Sequence, residues 1–239
     1  MKFFKENTRV KTYHVDKNGR LGTPQIFNFL QEIAYRHSYE GKFGQPDLAE
    51  LDMVWMLSRI KLQLLHIANL GDEIEVRSWV RSIVGALSER DFSIRSKGME
   101  IARATSLWAC LSKKTIKPQH IPSQFLKRMH INSHEELNFT TSKVAPLKTW
   151  DAESVYQVKM SDIDMVNHTN NVAYVRMALD AYKTERIPAE IDVNFIRQSY
   201  LDDTLIIRQF TKGELSHHEI VSGDESVFRM KVVWRTNLK

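Results

Sequence analysis

Leu70-Gly-Asp-Glu-Ile74 and Leu201-Asp-Asp-Thr-Leu205 hold the same place in two similar runs of this sequence. The strands leading into them coincide without a gap, Leu62-Gln-Leu64 against Val193-Asn-Phe195. Each turn separates two segments that alternate apolar and polar residues, the signature of half-buried strands. A helical pattern lies upstream of each. One order of elements occurring twice reads as an internal duplication.

Upstream of the first turn, Thr8–Val15 alternates and ends at Asp16-Lys-Asn-Gly19. Thr23-Pro24 then starts a helix, with Thr as cap and Pro at the first helical position. Ile26, Phe29, Leu30, Ile33, Ala34 and His37 share one face of it, and the helix should reach Glu40 before Gly41, Gly44 and Pro46 break the pattern. Trp55–Leu64, Glu73–Val80, Ser88–Ser96 and Ile101–Ser112 read as strands. In the second half Ser154–Met160 is a strand. A helix begins near Asn171 and uses Val172, Val175, Leu179 and Tyr182, and Glu190–Arg197, Leu205–Thr211, His218–Ser222 and Val227–Arg235 are strands. Between the halves the chain is polar and punctuated by Pro118, Pro122 and Pro146, with one short helix after Pro122. The predicted class is α+β, with domains at 1–125 and 151–239 joined by a linker over 126–150.

The composition limits function more than it specifies it. At 239 residues and 42% hydrophobic, the chain can build substantial cores. No apolar run is long enough for a membrane helix, and Met1-Lys-Phe-Phe-Lys-Glu-Asn7 leads into no secretory segment, so the expected location is cytoplasmic with no membrane partner. The net charge of +5 is too scattered to specify nucleic acid, but suits docking to an acidic protein. The single cysteine, Cys110, excludes an internal disulfide and reads as a core residue. No metal site is expected: His217 and His218 are adjacent on a strand, and His66, His120, His130 and His134 stand at no ligand spacing. No glycine pattern for a phosphate or dinucleotide appears, so no cofactor is expected.

The chemistry concentrates in Ser161-Asp-Ile-Asp-Met-Val-Asn-His-Thr-Asn-Asn171. Asp162-Ile-Asp164, His168, Asn170-Asn171 and Tyr174 follow the central motif of a known family. Leu30-Gln-Glu32, Trp55, Arg59, Gly71-Asp72, Trp79-Val80, Ala102-Arg-Ala-Thr-Ser-Leu-Trp108, Lys113-Lys-Thr115 and Ile121-Pro122 follow its first half in order and spacing. On these residues, from about 20 to about 235, the chain resembles the fatty acyl-ACP thioesterases of plants and bacteria. The resemblance implies two tandem hotdog domains, each a long helix wrapped by a curved antiparallel sheet. It also implies cleavage of a fatty acyl thioester on acyl carrier protein, with a possible homodimer.

That resemblance places the catalytic Asp on Asp164 and the catalytic His on His168. The family's Asn two residues before the His falls on Val166, and the nearest Asn, Asn167, is expected in the catalytic group in its place. The family's later acid falls on Gln198, also expected in the catalytic group, and the neighbouring Cys on Ser199, expected with Asn170 and Asn171 to bind substrate. The acyl tunnel is expected among Phe27, Leu30, Met53, Trp55, Met56, Leu57 and Trp108, with Trp55 and Met56 setting chain length. Arg59, Arg176 and Lys183 are candidate carrier contacts.

In chemical terms, Asp164 would act as general base or nucleophile. Asp162, two residues away, would share its face in an extended segment or else lie in a solvated loop. His168 would donate to the thioester oxygen or orient water. Asn170 or Asn171 would cap the following helix, whose first-turn N–H groups would form an oxyanion hole. Gln198 would hold water or the His. Acyl-CoA hydrolysis by the same fold, or acyl binding with little catalysis, are the alternatives that Val166 and Gln198 leave open.

Overall fold

The computed structural model describes residues 3–132, 137–182 and 184–235. Among them are two compact units, Met1–Thr141 and Ser142–Lys239.

The first unit holds β1 (Phe4–Arg9), α1 (Thr23–Glu40), α2 (Gln45–Ala49), β2 (Met53–Leu64), β3 (Glu73–Val84), β4 (Leu87–Ser96), β5 (Met99–Ser112) and α3 (Ser123–Leu126). Its strands lie in the order β1-β3-β4-β5-β2, every neighbouring pair antiparallel. Helix α1 buries Ile26, Phe27, Leu30, Ile33 and Ala34 against β3 and β1. Those positions form one stripe at helical spacing. Phe27 takes the buried place expected of Phe29. The cap is Gly22 rather than Thr23, and it makes no side-chain bond.

The second unit holds β6 (Ala152–Gln157), α4 (Asn171–Tyr182), β7 (Pro188–Phe195), β8 (Thr204–Lys212), β9 (Leu215–Ser222) and β10 (Glu225–Trp234). The strand order is β6-β8-β9-β10-β7, the same order as in the first unit. Helix α4 packs on β8, β9 and β10 and buries Val172, Ala173, Tyr174, Val175, Met177 and Ala178. Each unit is a helix backed by a five-stranded antiparallel sheet, the expected hotdog arrangement.

The duplication extends to register. Phe4 faces Ser78 as Ala152 faces Gln209. Ile74 faces Ser96 as Leu205 faces Ser222. Leu62 faces Ala104 as Val193 faces Met230. Helix length differs, 18 residues in α1 against 12 in α4, and α2 has no counterpart among the described residues of the second unit.

Three sequence expectations change. The first strand of each half lies earlier than its alternation suggests. At Thr12–His14 and Met160–Asp162 the chain turns into a 3-10 helix. In both cases it leaves the sheet at a valine whose N–H is taken by the far turn, Val10 by Asp72 O and Val158 by Asp203 O. Asp162 is therefore not in an extended segment. Finally, the stretch 126–150 is not a free linker, because its described parts pack on the units. Asn132 N–H bonds Val80 O and Leu137 N–H bonds Asp91 Oδ2 in the first unit. Ser142, Val144 and Leu147 bond Asp192, Asn194 and Glu219 in the second. That cover lets both sheets carry charged residues at buried positions, among them Arg81, Asp91, Asp192 and Glu219.

Candidate active site

The stretch Val158–Asn171 folds as a closed turn at the start of α4. Asp162 sits at its base with a fully buried carboxylate. It accepts Lys159 N–H at 2.9 Å and Tyr156 Oη–H at 2.8 Å, and it pairs with Arg176. Its backbone oxygen takes Asn170 N–H at 2.8 Å. Asp162 is thus neither a solvated loop residue nor a free second carboxylate; it anchors the turn, and Arg176 is committed to it.

Asp164 closes the turn itself. Its N–H bonds His168 O at 2.8 Å, and its carbonyl takes Asn167 N–H at 3.0 Å. Its Oδ1 accepts the N–H groups of Val166 at 3.0 Å and His168 at 3.2 Å. Oδ2 has no hydrogen-bond partner among the described residues. Asn167 has φ +65°, a left-handed conformation that Asn tolerates better than most residues. Its side chain is exposed. Backbone geometry accounts for an Asn there, and no bond directs it to His168.

Asn170 is the cap. Its Oδ1 accepts Val172 N–H at 2.8 Å and its carbonyl accepts Ala173 N–H at 2.9 Å. Two of the first-turn amides expected to be free are therefore occupied. The Asn171 N–H is left without a partner among the described residues.

The first unit contains the same turn with different side chains. Asp16 N–H bonds Arg20 O at 2.8 Å, and Asp16 Oδ1 accepts Asn18 N–H at 2.8 Å and Arg20 N–H at 3.0 Å. Gly19, at φ +74°, stands where Asn167 stands. The bridge Val15–Leu21 matches Ile163–Thr169. There the second carboxylate oxygen is neutralised: Asp16 Oδ2 takes Arg20 Nε–H at 2.9 Å and lies 2.8 Å from Nη2. In the second unit His168 replaces Arg20, and the exposed tip Met165-Val166 replaces Lys17-Asn18.

Residues 198–200 lie against this turn. Ser199 is fully buried. Its carbonyl accepts Thr169 N–H at 2.9 Å and Thr169 Oγ1–H at 3.0 Å. Its hydroxyl is 2.7 Å from both Thr169 Oγ1 and Tyr174 Oη, and its N–H donates to Tyr174 Oη at 2.9 Å. Burial raises the Tyr174 phenol above its ordinary pKa, so it stays protonated and able to donate. Ser199 braces the turn; no surface is left on it for a substrate. Gln198 is exposed, and no bond joins it to His168. The Tyr200 ring meets the His168 ring edge to face, with centroids 5.4 Å apart and planes at 76°. Neither the Thr169–Ser199–Tyr174 brace nor the Tyr200 contact follows from local sequence. The pairing of the two halves was the available signal, since Leu21 N–H bonds Ala68 O as Thr169 N–H bonds Ser199 O.

In the first unit, Trp55 and Met56 point to opposite faces of β2, as neighbours on a strand must. Trp55 donates Nε1–H to Phe43 O at 3.0 Å and packs on a core of Phe43, Leu48, Val80, Cys110, Ile121, Phe125 and Met129. Trp55, and not Met56, therefore faces that core. Cys110 is part of that core. On the helix-facing side of β4, buried Arg90 donates through Nη1 to Ser78 Oγ and meets His37 Nδ1, both at 2.8 Å. Burial, then the Arg90 charge, then His130 bring the His37 pKa down to about 3, so it is a neutral acceptor. His134 and Lys183 lie outside the described residues. No helix of the described residues is long and apolar enough to cross a membrane.

Comparison with known proteins gives two family matches. Residues 1–129 match the family described as acyl-ACP thioesterase N-terminal domain, and residues 147–236 match acyl-ACP thioesterase C-terminal domain. A palmitoyl-acyl carrier protein thioesterase of Gossypium hirsutum is 26% identical over 192 residues, covering 74% of this chain and 46% of that protein. An oleoyl-acyl carrier protein thioesterase of Arabidopsis thaliana is 25% identical, covering 92% of this chain and 65% of its own length. The chain thus spans about half the length of the first of these relatives. Among solved structures, an acyl-ACP thioesterase from Bacteroides thetaiotaomicron superposes with a TM-score of 0.89 at 25% identity, covering 98% of both chains. The 12:0-ACP thioesterase from Umbellularia californica also gives 0.89, at 19% identity, a likeness of fold.

Proposed function

Since the chain belongs to the acyl-ACP thioesterase family, we propose that it hydrolyses the thioester of a fatty acyl-ACP, releasing free fatty acid and the carrier thiol. One observation carries the assignment of the site. The turn at Asp164–His168 repeats the turn at Asp16–Arg20 bond for bond, yet only Asp164 has a carboxylate oxygen that no cation neutralises. The fold needs the aspartate in both places, and the free oxygen and the imidazole are peculiar to the second.

In this reading Asp164 Oδ2 takes a proton from water as the water oxygen adds to the thioester carbon, or adds to that carbon itself. Negative charge builds on the carbonyl oxygen. His168 and the Asn171 N–H, at the positive end of α4, stabilise it. Collapse of the tetrahedral adduct expels the thiolate, which takes up the proton held by Asp164. Where Asp164 itself attacks, the acyl group is left as an anhydride on Asp164. Water then hydrolyses it to the free acid and the restored carboxylate, leaving a proton for the thiolate. Asp162, Ser199, Thr169, Tyr174 and Asn170 hold the turn in shape without touching the substrate. The net charge of +5 favours an acidic carrier as partner.

Val166 has no polar group and the exposed Gln198 makes no bond to His168, a leaner site of the kind that would serve acyl-CoA as the alternative donor. The test is hydrolysis of acyl-ACP of graded chain length beside the same chains on CoA. Faster release from the carrier supports the first reading. Equal or faster release from CoA supports the second, and no release from either rejects both.

A further inference from the structure

The main chain of His168 is fixed at both N–H and C=O by Asp164. Its ring is not. Neither ring nitrogen has a hydrogen-bond partner among the described residues, so no carboxylate, amide or carbonyl sets its rotation. A reacting histidine ordinarily has such a partner, because an imidazole that turns freely spends little time aimed at the substrate. The ring contact that His168 does have is with Tyr200.

Tyr200 is itself held firmly. Its N–H donates to Asp203 Oδ2 at 2.9 Å and its carbonyl accepts Asp203 N–H at 3.2 Å. The preceding Ser199 is tied to Thr169, the residue after His168. The two rings therefore project from two segments locked together one residue away.

The first unit shows that this frame does not need a tyrosine. Asn69 stands at the corresponding place, with its N–H on Asp72 Oδ2 at 2.9 Å and its carbonyl accepting Asp72 N–H at 3.0 Å. The bonds to the aspartate three residues on are the same, although the first unit adds Leu70 N–H to Gly19 O at 2.9 Å, and the side chain differs. Asn stands beside the Arg20 that neutralises Asp16, and Tyr stands beside His168. At 48% exposure, Tyr200 also gains little from its own burial.

We propose that Tyr200 is a positioning residue for the reaction assigned above: its ring sets the orientation of the His168 imidazole, in place of the polar partner this histidine lacks. The proposal rests on that functional reading. An edge-to-face contact biases a ring between rotamers by about two- to tenfold, and that is the size of effect to look for.

The test uses the full chain with Tyr200→Asn, Tyr200→Phe and Tyr200→Leu. Two readouts are taken: kcat and KM on acyl-ACP, and the χ1 and χ2 rotamer populations of His168 in the substrate-free protein, from side-chain couplings and ring NOEs of resonances assigned by their loss in His168→Gln. Tyr200→Asn, the residue found at this place in the first unit, should lower kcat several-fold with KM little changed and spread His168 over more rotamers. Tyr200→Phe should keep both near the wild-type values. Tyr200→Leu, which fills space without a ring, should behave like Tyr200→Asn and covers the case in which that variant does not fold. Unchanged His168 rotamer populations in Tyr200→Asn or Tyr200→Leu would overturn the proposal. So would changed populations with unchanged kcat, or full activity in Tyr200→Leu. If the wild-type protein hydrolyses nothing, the functional reading fails, while the rotamer populations still report whether Tyr200 orients the ring.

Discussion

Asp164 Oδ1 accepts the backbone N–H of His168 at 3.2 Å, as Asp16 Oδ1 accepts that of Arg20 at 3.0 Å. One aspartate oxygen closes the turn in each half, so under the proposed function a single side chain in the second half would both shape the site and supply its reactive oxygen. The two roles separate by substitution. Asp164→Asn keeps an oxygen that can accept both N–H groups, whereas Asp164→Ala leaves them without an acceptor. The expected outcome is a stability near wild type for Asp164→Asn and a loss of about 1 kcal/mol for Asp164→Ala, measured by denaturant unfolding of the two variants side by side.

Asn167 offers a cleaner separation. Its left-handed backbone explains its presence, and its counterpart is Gly19. Asn167→Gly removes the amide and keeps the left-handed backbone, so turnover should stay within about twofold of wild type. Asn167→Ala should cost about 1 kcal/mol of stability through the strained φ. A large fall in kcat for Asn167→Gly would restore this residue to the catalytic group.

Both results bear on what the sequence revealed. The helix–strand order, the duplication and the short helix after Pro122 were legible, because hydrophobic period and turn residues encode them locally. The placement of Asp164 and His168 in one turn was legible too. The tasks of Asp162 and Ser199 were not, since each depends on partners far along the chain: Arg176 for one, Tyr174 for the other. The first strands were misplaced in both halves for the same kind of reason. Alternation runs on past Val10 and Val158, and only the bonds to Asp72 and Asp203 show where the chain turns away.

The brace behind the site predicts a cost. Tyr174→Phe removes the acceptor of the buried Ser199 N–H and a partner of its hydroxyl. An unsatisfied buried donor costs about 1–3 kcal/mol, so the unfolding midpoint should fall while the far-UV spectrum is kept. An unchanged midpoint would mean that water or a shift of the turn replaces the phenol.

Stability should also depend on pH through His37. Burial and Arg90 depress its folded pKa from 6.5 to about 3, so the unfolded chain binds the proton more readily. The stabilisation is complete above pH 6.5 and is lost progressively as pH falls towards 3. Between pH 7 and pH 5 the loss is about 2 kcal/mol. Asp91, whose carboxyl burial raises to about 6, works in the opposite direction over the same range, and His218, lowered to about 4 by burial, adds to the loss. The difference between wild type and His37→Gln isolates the one group, since glutamine keeps an acceptor for Arg90 and does not titrate. Parallel stability curves for the two proteins would contradict the neutral, half-buried His37.

The central claim is that Asp164 Oδ2, free where Asp16 Oδ2 is neutralised, carries the hydrolysis. The most direct measurement is single-turnover cleavage of one acyl-ACP by wild type and by Asp164→Asn under identical conditions, with both shown to be folded. Loss of the base or nucleophile should slow cleavage about a hundredfold or more. Cleavage by folded Asp164→Asn at the wild-type rate would contradict the account.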